Sequence, residues 1–400
     1  MNVQCPVCLG GEFEDLIDFG VIPRSGSFLP SPGTAFRTMH HAFEFCTHCA
    51  LTRQRGQADD SPDYRNVNRS TRRQMPVYTP NLVSSLSRHH PDRNDLVVDV
   101  GGNDGAFLDL VAEAGYANRL NIEPSVPLAE LSAKAGHKVE TVHLDSTEAN
   151  RIRKQYGPAG GIFCRHVLEH VPDPFGLLSA MRLMLKEDGI LFVEIPDARG
   201  ILHRLLGHEL WDEHLFHFTV ENLGRLVKRT GFLLEEETIQ PHRGGTNILF
   251  RARMDFQQKS SSFPEKAVFS DVEACRCFKT RWMDLRLRIQ SEMKGWAEPV
   301  ACLGASHPQS NYILFTEIGG HVDFLVDDDP HKVGCYVPLP QPVPVVSTAQ
   351  LFDGPPPGTI IRTAFGCEAW MDGICLPLAA RGARIVEPYL TSNPRLYRPE

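Results

Sequence analysis

The chain of 400 residues, 42% hydrophobic and 22% charged, has the balance of a folded globular protein and is too long for one ordinary core. Its net charge of −8 excludes a nucleic-acid backbone as main partner, because phosphate binding demands a concentrated basic surface. The first residues bring cysteines and acids instead of a basic start and an apolar run, so neither a signal peptide nor a membrane span is expected. Eleven cysteines without an export signal fit reduced thiols and a cytoplasmic address.

Residues 1–65 read as a small lobe, poor in helical periodicity and rich in Cys, Gly, Pro and Phe. Cys5-Pro6-Val7-Cys8 and Cys46-Thr47-His48-Cys49 are two C-x-x-C knuckles. Each lets two thiolates share a tetrahedral cation, and two knuckles close a four-thiolate shell. Cys5, Cys8, Cys46 and Cys49 are therefore expected to hold zinc. A saturated shell leaves no open position, so the metal is read as structural. It would staple a segment too loop-rich to build its own core. A redox pair or chance cysteines are the competing readings, and His48 is read as a bystander.

Residues 66–254 alternate apolar strands with amphipathic helices, which predicts βαβ units around a mostly parallel sheet. Leu96-Val97-Val98-Asp99-Val100 reads as a buried strand, Gly101-Gly102-Asn103-Asp104-Gly105 as a turn, and Ala106–Leu110 as a helix start. Glycines at the carboxyl end of a first strand let the backbone approach a nucleotide. The spacing is not G-x-G-x-x-G, and Asp104 would repel a pyrophosphate while suiting a ligand with a sulfonium and an ammonium. Strand Arg119–Ile122 ends in Glu123, which is placed to accept both ribose hydroxyls. Asp145 and Ser146 follow the third strand, where a side chain would meet an adenine amine. The fourth strand, Gly161–Arg165, leads into His166-Val167-Leu168-Glu169-His170-Val171, then Pro172 and Asp173. A helix Phe175–Leu185, a turn Lys186–Gly189 and a strand Ile190–Ile195 complete the run. In this order the pieces point to S-adenosylmethionine, held by Asp99, Gly101, Gly102, Asn103, Asp104, Gly105, Glu123, Asp145, Ser146, Arg165 and His166. An α/β domain for another nucleotide is the competing reading.

The polar stretch Asp255–Ser262 reads as a linker into a charged helix near Val272–Met293. Residues 255–400 then return to α/β texture. Strand Val300–Leu303, helix Gln309–Glu317 and strand Val322–Val326, with acids at Asp327–Asp329, come first. A Pro-rich connection at Pro338–Pro344, strand Thr359–Thr363 and a helix near Cys367–Ala380 follow. A lone Gly304 does not by itself make a second nucleotide site.

The order of motifs resembles a class I methyltransferase domain, and the whole chain is similar to a three-domain family of sugar C-methyltransferases that use S-adenosylmethionine. The likeness rests on the paired knuckles, the D-V-G-G-N-D-G turn and H-V-P-D at His170–Asp173. It also rests on E-H at Glu213–His214, H-R-G-G-T at His242–Thr246 and L-V-D-D-D-P-H-K-V-G at Leu325–Gly334. It implies an α/β fold: a class I Rossmann-like core, a small N-terminal zinc-binding lobe, and a C-terminal Rossmann-like lobe for substrate. A structural or dimerising role is the bland reading of that last lobe, and both monomer and homodimer stay open.

In the family, the histidine of a Y-x-E-H motif removes a proton beside a sugar ketone, and the enolate takes the methyl group. The matching segment here is Trp211-Asp212-Glu213-His214, with His214 as general base, since imidazole is neutral near pH 7. The Glu213 carboxylate would fix its tautomer. His170 matches the family's second active-site histidine, His242 is a third candidate near the substrate, and Tyr64 matches a tyrosine over it. Two positions depart from the pattern. Trp211 replaces the tyrosine and offers only an indole donor, and no lysine follows Gly304-Ala305, where it would meet a substrate diphosphate. The expected reaction is methyl transfer to a small-molecule acceptor, at the carbon beside a ketone of a nucleotide-linked keto-sugar. Secondary-metabolite (antibiotic) or surface-glycan biosynthesis is the expected setting, with no nucleic-acid or membrane partner. O- or N-methylation of another natural product, and a non-catalytic S-adenosylmethionine-binding protein, are the alternatives.

Overall fold

A computed structural model describes residues 4–56, 75–90, 92–242, 245–256, 265–364 and 367–387. Tyr64 and most of the expected linker lie outside the described residues, and of His242 only the backbone is described. The amino-terminal part carries β1 (Phe13–Pro23), β2 (Thr38–Cys46) and β3 (Thr52–Gln54). The central part opens with α1 (Thr79–His89), β4 (Leu96–Val100), α2 (Ala106–Glu113), β5 (Arg119–Ile122), α3 (Val126–Lys134) and β6 (Lys138–Glu140). It continues with α4 (Ser146–Tyr156), β7 (Ala159–Arg165), α5 (Pro174–Met184), β8 (Leu185–Pro196) and α6 (Arg199–Arg204). Then come β9 (Phe216–His217), α7 (Val220–Arg229), β10 (Phe232–His242) and β11 (Gly245–Met254). The last part runs α8 (Glu265–Met293), β12 (Val300–Leu303), α9 (His307–Thr316), β13 (Phe324–Val326), β14 (Tyr336–Leu339) and β15 (Gln341–Val346). It ends with α10 (Thr348–Asp353), β16 (Thr359–Ile361), α11 (Glu368–Ala380) and β17 (Arg384–Val386).

The central sheet has seven strands in the order β10-β11-β8-β7-β4-β5-β6, and only β11 runs against the rest. This is the class I methyltransferase Rossmann-like order. All five residues of β4 are buried, as a parallel strand covered on both faces requires. Val97 packs with Leu82, Leu86 and Phe107 from α1 and α2. Leu96, Val98 and Val100 pack with residues of α4, α5 and α7 on the other face. The strand order reverses between β4 and β7, which sets a crevice at their carboxyl ends.

Three sequence expectations change. The expected turn Lys186–Gly189 lies within β8, where the register jumps from Ala159 opposite Leu185 to Gly161 opposite Ile190 and the extra residues bulge out. Pro338–Pro344 is a hairpin, β14 on β15. The prolines fit because Tyr336, opposite Pro344, sends its N–H away to the Leu29 carbonyl at 2.8 Å. The amino-terminal lobe is not loop-rich either: β1 and β2 are long antiparallel strands. Met39, His41, Phe43 and Phe45 alternate inward along β2, a period-two pattern hidden among polar neighbours.

The lobes share their core. Leu16, Phe43 and Phe45 pack in one apolar cluster with Phe278 and Trp282 of α8 and with Tyr312, Phe315 and Val337 of the last part. The last sheet runs β14-β15-β13-β12-β16-β17, parallel except for β14. No helix among the described residues is long and apolar enough to cross a membrane. Trp282 is 1% exposed and meets the rings of Phe278 and Phe19 at 6.1 and 6.2 Å. Trp282→Ala should cost about 3–5 kcal/mol and lower the urea midpoint accordingly. An unchanged midpoint would show that this shared cluster carries little of the stability.

Candidate active site

β4 delivers a tight turn to the crevice. Gly101 lies at φ +71°, and a Cβ there would stand 2.3 Å from Val167 Cγ2. A Cβ at Gly102 would stand 2.4 Å from Asn121 Oδ1 and 2.9 Å from Asp99 Oδ2. Both positions demand glycine, so the turn is pressed against the segment after β7 on one side and buried polar groups on the other. Asp99 is 1% exposed, and its Oδ2 has no hydrogen-bond partner, with Arg165 Nη2 at 3.5 Å. Burial pushes its carboxyl up to about 6, against the pull of Arg165. The Arg165 guanidinium lies over the Phe107 ring at 3.9 Å. Glu123 accepts the Asn103 N–H at 2.9 Å and the Ser125 N–H at 2.8 Å, and burial raises its pKa.

Two expected ligands have local duties. Asp104 accepts the Ala106 N–H at 3.2 Å, so its charge turns to the start of α2, favoured by the helix dipole. Asp145 is exposed and caps α4, accepting the Glu148 N–H at 2.8 Å, and Ser146 opens that helix. The carboxylate that underlies the turn is Asp99. A buried acceptor held only by a long ion pair, beneath a glycine turn and beside a carboxylate at the next strand end, fits an ammonium-bearing nucleoside.

The segment that touches Gly101 continues into the second half of the site. His166 lies at φ +54°, with Nδ1 3.5 Å from Glu169 Oε1 and Nε2 3.5 Å from Glu194 Oε1. Desolvation opposes its proton, but the two carboxylates prevail and raise it to about 9. Glu194 is held down at about 2 against its burial, chiefly by His166. Tyr78 donates its hydroxyl to Glu194 Oε1, and Asn247 Nδ2 donates to the same oxygen at 2.8 Å.

Four residues on, His170 meets His214 edge to face at 4.7 Å. His214 is 6% exposed and stacks on Trp211 at 4.9 Å, and Trp211 stacks on His307 of α9 at 5.5 Å. Burial and the neighbouring His170, His217, His166 and His307 hold the His214 pKa well below its ordinary value, so the ring is neutral. The Glu213 carbonyl accepts from His170 Nδ1 at 2.8 Å. The site therefore gathers His170, Trp211 and His214, and adds His307 from the last part.

The cysteines also converge. Cys5 and Cys49 Sγ lie 3.5 Å apart, as do Cys8 and Cys46, and all four lie within 4.8 Å of one another. Thiolates about 2.3 Å from a tetrahedral zinc are about 3.8 Å apart, so the four residues fit that ion. The knuckles sit against α7, where Arg229 donates to the Pro6 carbonyl and Asn222 Nδ2 to the Cys49 carbonyl at 3.3 Å.

Residues 71–237 match the family model described as a methyltransferase domain. The central sheet has the class I methyltransferase Rossmann-like fold. The chain is 27% identical over 259 residues to C-methyltransferase NovU of Streptomyces niveus, covering 62% of this chain and 60% of that protein. A ubiquinone biosynthesis O-methyltransferase of Haemophilus ducreyi is 30% identical over 105 residues, 24% of this chain and 43% of that one. The chain thus spans less than two thirds of either relative. A solved SAM-dependent methyltransferase from Anabaena variabilis is 17% identical with a TM-score of 0.37, covering 46% of this chain and 90% of its own.

Sequence reasoning missed Tyr78, Glu169, Glu194, Asn247 and His307. A lone carboxylate inside the apolar run Ile190–Ile195 was the available signal for Glu194. The His166 proton adds stability in full below pH 6.5, and that stability is lost as pH rises through about 9. Its imidazole should titrate near 9 by NMR, falling toward 6.5 in Glu194→Gln. A wild-type midpoint near 6.5 would contradict this electrostatic reading.

Proposed function

We propose that the protein transfers the methyl group of S-adenosylmethionine to a small-molecule acceptor, at the carbon beside a ketone of a nucleotide-linked keto-sugar, with His214 as general base. The observation that carries this reading is the join between the two halves of the site. Val167 packs on the Gly101 turn, and three residues later His170 meets the neutral, buried His214. This join supports a proton acceptor beside the methyl-donor crevice.

In this reading the Gly101–Gly105 turn cradles the donor, Asp99 meets its ammonium and Glu123 its ribose. Arg165 and His166 wall the pocket, and Asp145 and Ser146 lie on the adenine side. The donor supplies an electrophilic methyl on sulfur. The chain's own part is to orient it, exclude water and accept one proton at His214. His170 orients that base, with its own ring fixed by the Glu213 carbonyl. Tyr64 and His242 stay candidates over the substrate. The four cysteines hold structural zinc, and parts 1–65, 66–254 and 255–400 act as zinc lobe, donor domain and substrate lobe. The missing lysine after Gly304-Ala305 has a stand-in: Lys332 Nζ lies 2.9 Å from Asp327 Oδ2, which accepts the Ala305 N–H at 3.0 Å. The relative named a C-methyltransferase supports carbon as the methyl acceptor. Trp211 favours a second reading, O- or N-methylation, because an indole cannot give a proton to an enolate oxygen.

Labelled methyl transfer to keto-sugar nucleotides separates these readings. His214→Ala should slow transfer by about 100-fold or more while S-adenosylmethionine affinity stays within about twofold. Transfer at the wild-type rate would remove His214 as base. Solvent deuterium entering the acceptor carbon marks C-methylation, and its absence during transfer marks O- or N-methylation.

A further inference from the structure

Apart from the cysteines, a second group of metal-ligand atoms converges among the described residues. Ligand atoms of Glu169, His170 and His214 lie within 4.8 Å of one another. Two imidazoles and one carboxylate are a ligand set for first-row divalent ions. Glu169 is 2% exposed, and neither of its carboxylate oxygens has a hydrogen-bond partner. A buried carboxylate left so is costly, and an imidazole nitrogen at 3.5 Å is a loose partner for it. His170 Nδ1 lies 2.8 Å from the Glu213 carbonyl, which can only accept. The Nδ1 proton is thereby fixed, and the lone pair sits on Nε2, the arrangement that orients metal-bound histidines. His214 is packed between the His170 edge and the Trp211 face, so little rotamer freedom is lost on binding. Tetrahedral ligands about 2.1 Å from an ion are about 3.4 Å apart, a separation that small side-chain rotations reach.

We propose that Glu169, His170 and His214 bind a divalent ion of the zinc class, separate from the cysteine site and with a fourth position open. The ion takes the lone pair that His214 needs as a base, so metal loading and proton removal exclude each other. The site itself stands on the three ligands alone; only this consequence rests on the reading of His214 as base.

The full chain, stripped with chelator and reloaded with zinc, should hold about two ions. Glu169→Gln and His170→Gln should each hold about one, with an unchanged far-ultraviolet spectrum. Cobalt makes the two sites distinguishable. The cysteine ion brings a thiolate charge-transfer band, and the second ion adds visible absorption without raising that band. One zinc in the wild type, or two in both variants, would overturn the site. Loading the second ion should cut methyl transfer by about tenfold or more. Undiminished transfer with two ions bound overturns the exclusion. Absence of transfer in every metal state counts against the methyltransferase reading, while the zinc stoichiometry still decides the site.

Discussion

The loop that carries His214 hangs on one short antiparallel pairing, Thr52 opposite His217 and Arg53 opposite Phe216. β3 begins just after the second cysteine knuckle, and β9 just after His214. Gln54 extends the seam: its N–H donates to the Leu215 carbonyl at 3.1 Å. Its side-chain amide donates to the Trp211 and Asp212 carbonyls at 2.9 and 2.7 Å. Asp212 in turn accepts the Ser25 N–H at 3.1 Å. These carbonyls belong to a buried loop, where unmet backbone groups are costly. The amino-terminal lobe therefore supplies the hydrogen bonds that let the Trp211–His217 segment be both irregular and fixed.

The two halves of the site are built differently as a result. The proposed donor crevice comes from consecutive pieces of one sheet, with Asp99, the glycine turn and Glu123 at neighbouring strand ends. The other half is assembled from distant parts. His170 follows β7, His214 lies on the loop held by β3, and His307 opens α9 and stacks beyond Trp211. One apolar cluster through α8 joins β1 and β2 to the last sheet, so the parts that frame His214 are packed as a unit. In the proposed reaction, stiffness of that frame matters because displacements of about 1 Å slow a positioned catalytic group.

What could be read in the sequence follows the same division. The local fold of Leu96–Leu110 was legible because strand, positive-φ turn and helix start occur in one run. The four cysteines were legible because thiolate spacing has few other uses. The bond from the Ala106 N–H to Asp104 was not legible, because composition does not reveal local turn geometry. The Tyr78, Glu194 and Asn247 contacts were not legible, since their members sit far apart in sequence and meet only where β8 pairs with β11. The alternation in β2 was obscured by His41 occupying an apolar position, where it bonds the Leu210 carbonyl at 2.8 Å between aromatic rings.

The most direct test of this account is a comparison of Gln54→Ala with wild type in two assays, S-adenosylmethionine binding by calorimetry and methyl transfer. The donor crevice shares no residue with the seam, so donor affinity should stay within about twofold while transfer falls by about tenfold or more. Transfer at the wild-type rate, or equal loss of donor binding and transfer, would contradict the claim that the amino-terminal lobe holds the acceptor side of the site in place.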